Sequence, residues 1–291
     1  MPEVKDTYSS SEYQNFEWCG FNVEHGFIDC DFLQHTHDFY EAFIIISGSA
    51  KHIVGDHVYP IGHGDIFVIK GDISHGFQEV QSLEIVNIMY DPDLFANYEP
   101  QLSSLPGFRP LFVIEPEIRL SSHYHYKLTL EDKDLNFVVT MVDFMIQEIE
   151  QKMQYHNIMV KMSMYSLFAF LSVKYTITGG EPRGIKILSE SIRYMQENLA
   201  QQVSLQDIAS SLFISTRQLQ RLFKQYYNIA PGEYLTKLRL RQAYTLLSNN
   251  QLQVTEVAER CGFADPSYFS RVFKKEFGVR PGKIAKLIQP Q

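Results

Sequence analysis

Apolar positions change their period twice along this chain. From Phe27 to about Met89 they come in short β-branched and aromatic runs, "EAFIIISG", "DIFVIKG" and "SLEIVNIMY", the first two closed by Gly. Gly48, Gly55, Gly62, Gly64 and Gly71 recur at strand-and-turn spacing, which predicts an antiparallel sandwich or barrel. Tyr90 to Leu120 has several prolines and little periodicity, and reads as irregular. From Asp132 the period becomes helical: Leu135, Val138, Val139, Val142, Met145, Ile146, Ile149 and Met153 form one stripe. A second helix from about Tyr155 to Tyr175 completes an antiparallel hairpin, whose stripe must pack on the barrel, on a second subunit, or on both. The Gly-rich "TITGGEPRG" at 176–184 predicts a linker. Residues 185–291 are helical in period throughout. The expected fold is therefore α+β and multidomain: a β-barrel with its hairpin (about 132–175) over residues 1–175, then an all-α domain over 185–291.

The all-α part contains a repeat. Arg221, Phe223-Lys224, Asn228 and Pro231-Gly232 recur as Arg271, Phe273-Lys274, Gly278 and Pro281-Gly282, each offset by fifty positions. Ile208-Ala209 recurs as Val257-Ala258 at forty-nine. Two copies of a small helical unit, each ending in a basic helix, suggest two DNA-reading modules.

In the first copy Ser204 can cap a helix over Leu205–Leu212, and a second helix runs over about Thr216–Tyr227. Leu219, Leu222 and Phe223 fall at i, i+3 and i+4 and face a core. Thr216, Arg217, Gln218, Gln220, Arg221 and Lys224 are then the candidate DNA contacts. Arg217 and Arg221 lie on one face, and bidentate guanidinium donors suit guanine edges or phosphates. In the second copy a helix over about Pro266–Phe277 turns Phe269, Val272, Phe273 and Phe277 inward. Ser267, Tyr268, Arg271, Lys274 and Lys275 face out, with Asp265 at the helix start. Asn228 and Gly278 stand where a helix end needs a left-handed residue.

Charge supports this division. The net charge of −8 splits into 16 Lys+Arg against 9 Asp+Glu in residues 181–291, and 10 against 25 in residues 1–180. Only the C-terminal part has the positive charge that displaces counterions from nucleic acid. Cys19, Cys30 and Cys261 are odd in number, far apart and form no Cys-x-x-Cys pair. With a polar first eleven residues and no apolar stretch long enough to cross a bilayer, a reduced cytoplasmic protein is expected, without disulfides, zinc finger or membrane contact.

The segments "IASSLFISTRQLQRLFKQYYNIAPGEYLTKLRLRQAYTLL" and "VAERCGFADPSYFSRVFKKEFGVRPGKI" resemble the signature of the AraC/XylS family of bacterial transcription regulators over about a hundred residues. The resemblance implies two helix-turn-helix motifs joined by a long helix and set in successive major-groove segments. It implies base reading by Arg217, Arg221, Asp265 and Ser267, and phosphate contacts by Arg271, Lys274 and Lys275. It also implies a homodimer, more often an activator than a repressor, with RNA polymerase as a partner. The chain departs from the family pattern at Asn228, usually Gly, and at Arg280, usually Ser or Thr.

The N-terminal half carries its own candidate chemistry. His35, His37 and Glu41 in "HTHDFYEAFIIISG" share one face of a strand, and His75 follows in "GDIFVIKGDISHGF". The spacing resembles the two cupin motifs, with Lys70 and Asp72 departing from the second. Three imidazoles and a carboxylate aimed into a barrel can hold a divalent metal, with or without catalysis. The same groups, with Phe39, Phe43, Phe67 and Phe77 nearby, can hydrogen-bond and pack on a sugar ring. A further alternative is that they are satisfied barrel residues, in a constitutive regulator whose barrel only dimerises. The stretch resembles the sugar-responsive branch of the same family, the L-rhamnose-operon type. That resemblance implies a non-enzymatic sensor for a monosaccharide such as L-rhamnose, with no required cofactor and a possible metal at His35, His37, Glu41 and His75. The effector-binding set expected is His35, His37, Phe39, Glu41, Phe43, His75 and Phe77. His25, His52, His57, His63, His123 and His125 show no such spacing and are expected at the surface or in loops.

Overall fold

The computed structural model describes residues 6–91, 94, 99–102, 104–119, 127–151, 156–177, 183–249 and 252–287. The core of the expected linker (178–182), the hairpin turn (152–155), His123 and His125 lie outside them. Two compact units divide between Ile185 and Lys186.

The first unit is a β-domain with helices on one side. Its strands are β1 (Thr7–Tyr8), β2 (Phe21–Ile28), β3 (Phe32–His37), β4 (Tyr40–Val54), β5 (His57–Gly62), β6 (Asp65–Ile69), β7 (His75–Tyr90) and β8 (Leu128–Thr129). They run in the order β1-β3-β7-β4-β6-β8, with β2 also on β7 and β5 also on β4, so the sheet folds over without closing its hydrogen-bonded circuit. The short helices α1 (Gln14–Cys19), α2 (Glu99–Leu102) and α3 (Glu115–Ile118) precede the hairpin of α4 (Asp132–Gln151) and α5 (His156–Ile177).

Period-2 alternation assigns the two faces of the long strands. Ala42 and Ile44, Ile66 and Val68, and Val86, Ile88 and Tyr90 join Val138, Val142, Val160, Leu167 and Phe168 in a core beneath the hairpin. Phe43 and Ile45, Phe67 and Ile69, and Leu83 and Ile85 fill the interior of the folded sheet. With both faces covered, these strands read as continuous apolar runs. The segment expected to be irregular is helical in part: a π-turn over Pro110–Ile114 leads into α3. It buries Leu111, Phe112, Ile114 and Ile118. Phe112 stacks on Phe168 at 4.3 Å, which shows why its apolar content is high despite the prolines.

The second unit is all-α. It comprises α6 (Arg183–Glu197, whose first three residues fall in the first unit), α7 (Leu205–Ser211), α8 (Thr216–Tyr227), α9 (Pro231–Asn249), α10 (Val254–Arg260), α11 (Pro266–Phe277) and α12 (Pro281–Leu287). Ser204 caps α7 in a reciprocal box with Asp207, Ser215 caps α8 and Asp265 caps α11. Asn228 (φ 57) and Gly278 (φ 72) end α8 and α11 in the left-handed region. The repeat is visible in the cores: Phe223 packs on Tyr227 and Tyr234, as Phe273 packs on Phe269 and Phe277. Arg239 of α9 donates to the Leu199 and Gln201 carbonyls and so fixes the segment that follows α6.

Candidate effector pocket and nucleic-acid interface

The four polar residues of the expected set, His35, His37, Glu41 and His75, converge, though not on one strand. His35 and His37 end β3, Glu41 opens β4, and the turn between them is held by Asp38, which accepts from Ser10 N at 2.6 Å and Ser9 Oγ at 2.9 Å. His75 opens β7 opposite His35. With Tyr8, Tyr13, Glu24, Phe32, Phe39, Phe77 and Asn87, these four line a pocket of about 280 Å³. Phe39 lies flat on His37 at 4.4 Å. Phe43 and Phe67 do not line the pocket: their parity turns them into the apolar interior beneath it, stacked on each other at 5.5 Å.

The hydrogen bonds set the tautomers. A carbonyl only accepts, so His37 Nδ1–H donates to Phe39 O (2.6 Å) and His35 Nδ1–H to Leu33 O (3.2 Å). This turns each Nε2 toward the pocket, where it is free to meet a ligand or its neighbours. His37 Nε2 is 3.1 Å from His75 Nε2, and Glu41 Oε2 lies 3.2 Å from His75 Nε2 and 3.4 Å from His37 Nε2. Ligand atoms of His35, Glu41 and His75 all fall within 4.8 Å of one another. Among the described residues Asn87 Oδ1 is buried without a hydrogen-bond partner and Glu41 Oε2 has only the imidazole nitrogens beside it, and both residues line the pocket. Unmet acceptors of this kind carry a cost that a ligand's donors or a cation can relieve.

His52 is fully buried, against the expectation of a surface residue. It sits among Phe43, Phe67 and Phe77, with its Nε2 3.3 Å from His75 Nδ1. His25 and His63, by contrast, are at the surface and pair with Asp143 and Asp132 of α4. Burial pushes the His52 imidazole well below its ordinary value and His75 down to about 3. Both are neutral near pH 7. A depressed imidazole contributes stability that is complete above its unfolded value of 6.5 and is lost as pH falls toward the folded value. Each such histidine contributes about 1.4 kcal/mol per pH unit within that window. The melting temperature of the β-domain should therefore fall between pH 7.5 and 5, and His52→Gln should flatten the profile. Parallel profiles for the two proteins would contradict this.

In the second unit, α8 leaves Arg217, Gln220, Arg221 and Lys224 exposed, with Thr216 and Gln218 half-buried. Lys224 Nζ donates to Asn228 O at 3.0 Å. On α11, Ser267, Tyr268, Arg271, Lys274 and Lys275 are exposed, and the Arg271 guanidinium lies 5.5 Å from the Tyr268 ring centre. Asp265 Oδ1 accepts from Ser267 N at 2.8 Å, which fixes that carboxylate at the start of the helix. Sequence reasoning missed Tyr8, Tyr13, Glu24, Phe32 and Asn87 in the pocket. Of these only Asn87 had a signal: it alternates with Ile85 and Met89 on the inward face of β7.

Residues 208–286 match the family described as a helix-turn-helix domain, and residues 23–128 match the AraC-like ligand-binding domain. The HTH-type transcriptional activator RhaR of Cronobacter sakazakii is 30% identical over 86% of this chain and 85% of its own length. The HTH-type transcriptional activator RhaS of Klebsiella pneumoniae is 28% identical over 87% of both chains. Among solved structures, ToxT of Vibrio cholerae aligns with 93% of this chain and all of its own, at 18% identity and a TM-score of 0.40. Two helix-turn-helix units and a ligand-binding β-domain on one chain define a DNA-binding transcription regulator. The chain belongs to the AraC family of such regulators.

Proposed function

We propose that this protein is a transcription activator whose binding to DNA is set by a small polyol, a monosaccharide such as L-rhamnose, held in the β-domain. The observation that carries this is Asn87 Oδ1, buried without a hydrogen-bond partner among the described residues, beside the buried Glu41 carboxylate and its imidazole neighbours in a pocket walled by aromatic rings. Sugar hydroxyls supply the missing donors, and Phe39, Phe77 and Tyr13 supply apolar faces. The names of the RhaS and RhaR relatives support the activator reading, and RNA polymerase is then the downstream partner. No catalytic step is proposed. Among the described residues no helix is long and apolar enough to cross a membrane; the helix-turn-helix match is what supports a cytoplasmic site of action.

Arg217, Gln218, Gln220 and Arg221 of α8, with Asp265 and Ser267 of α11, are the proposed base readers. Thr216, Lys224, Tyr268, Arg271, Lys274 and Lys275 are the proposed backbone contacts. The proposed dimer contact is the outer face of α5, where Ile158 (65% exposed), Met162 (53%) and Ile177 (70%) stand in solvent. Sedimentation at micromolar concentration should give a dimer, and a monomer would contradict it. For the regulator itself, duplexes selected from a random library should bind more tightly than random DNA. A neutral monosaccharide should change that affinity, and no change with any sugar would count against the reading.

A second reading is favoured by one observation, the near-equilateral triangle of His37 Nε2, His75 Nε2 and Glu41 Oε2 with edges of 3.1–3.4 Å. Imidazole nitrogens and a carboxylate oxygen that face one another at these distances fit a divalent metal. His37, His75, Glu41 and the adjacent His35 would hold it, and it would polarise bound hydroxyls. The purified chain should then carry about one metal per subunit, and Glu41→Ala should lose it. A sugar response indifferent to chelator would contradict this reading.

A further inference from the structure

The two helix-turn-helix copies differ in charge at matched positions. Val254, Ser270, Arg271, Lys274, Arg280, Pro281, Gly282 and Lys283 bound an open cleft of about 770 Å³ between α10, α11 and α12. Four of these residues are cations and none is acidic. Lys274, Arg280 and Lys283 make no ion pair among the described residues, and all four cations are exposed. At the fifty-residue offset Arg271 and Lys274 correspond to Arg221 and Lys224, but Arg280 corresponds to Ala230 and Lys283 to Glu233. The first copy thus has two cations and one carboxylate where the second has four cations. Lys224, moreover, is drawn back onto its own helix end through Asn228 O.

We propose that the cleft of Arg271, Lys274, Arg280 and Lys283 is a phosphodiester-binding site that anchors the DNA backbone. The first copy has no equivalent four-cation cleft, so the second unit adds a sequence-independent anchor to the base reading proposed for both copies. Four cations around one concave surface match the charge of successive phosphates. Each neutralised phosphate releases counterions, which makes the site measurable through salt. The inference rests on the DNA-binding reading above.

The test uses the full chain and a random-sequence duplex, so no operator is needed. The slope of log K against log salt should shrink by about 1.8 in Arg280→Ala/Lys283→Ala, since each contact contributes about 0.9. That is about a tenfold smaller loss of affinity between 50 and 200 mM salt. Arg280→Lys/Lys283→Arg should keep the wild-type slope. Should the alanine variant fail to fold, the complementary Ala230→Arg/Glu233→Lys in the first copy decides, with a slope expected to steepen by a similar amount. An unchanged slope in a folded variant of either kind overturns the proposal, as does weaker binding with an unchanged slope. A wild-type chain that binds no duplex at any salt overturns the DNA-binding reading itself.

Discussion

Arg119→Met is expected to destabilise the β-domain by about 3–5 kcal/mol, the cost of leaving one member of a buried ion pair alone. Arg119 and Glu115 are both fully buried, 2.5 Å apart. Glu115 also accepts from Tyr175 of α5 at 2.7 Å. The Arg119 guanidinium lies 4.5 Å from the Phe67 ring centre, and its carbonyl accepts from Tyr59 Oη at 2.6 Å. One residue thus joins α3, the sheet interior and, through Glu115, the hairpin. Methionine keeps the packing volume and strands the Glu115 carboxylate. The chain has a single tryptophan, Trp18, which lies in this unit, so urea unfolding followed by its fluorescence reads the domain directly. Adding Glu115→Gln should recover part of the loss. An unchanged midpoint in Arg119→Met would show that the pair is not what holds α3 in place.

The second large effect is expected on DNA. Removing Arg217 and Arg221 together should lower discrimination between a selected site and random DNA by about 2–6 kcal/mol, since each bidentate base contact is worth about 1–3. Both side chains are exposed on one face of a helix whose other face is locked by Leu219, Leu222 and Phe223, so the fold should be untouched. Competition between selected and random duplexes at fixed salt measures the ratio. Equal losses on both duplexes would make the arginines backbone contacts and remove the base-reading role.

The helical half was legible because its signals are local. The 3.6-residue period, the capping residues Ser204 and Asp265 and the left-handed Asn228 and Gly278 all act within a few positions of the helix they bound. The β-domain was legible only where parity runs unbroken. Glu41, Phe43 and Ile45 alternate inward as expected, but register shifts between Ile45 and Lys51 flip the strand, so His52 and Val54 face inward instead. His52, expected at the surface or in a loop because it fits no motif spacing, is therefore turned into the interior, and a bulge leaves no periodic trace. Phe43 was over-read for a related reason: it faces inward, but Phe77 and His52 lie against it and separate it from the pocket. Arg119 carried no signal at all. A lone arginine after a proline-rich stretch reads as surface, and only the tertiary meeting with Glu115, Tyr59 and Phe67 shows otherwise. Tyr8 and Glu24 precede the first strand the pattern could detect, and they reach the pocket through long-range pairing with β3 and β7.

The most direct measurement is the melting temperature of the purified chain against neutral monosaccharides, L-rhamnose first, for the wild type and for Glu41→Gln. A ligand that binds only the folded state stabilises it by about 2.7 kcal/mol at a hundredfold excess over its dissociation constant. A saturable rise with one sugar, lost in Glu41→Gln, is the expected result. A flat response to every sugar, or a rise that Glu41→Gln leaves intact, would contradict an effector site in this pocket.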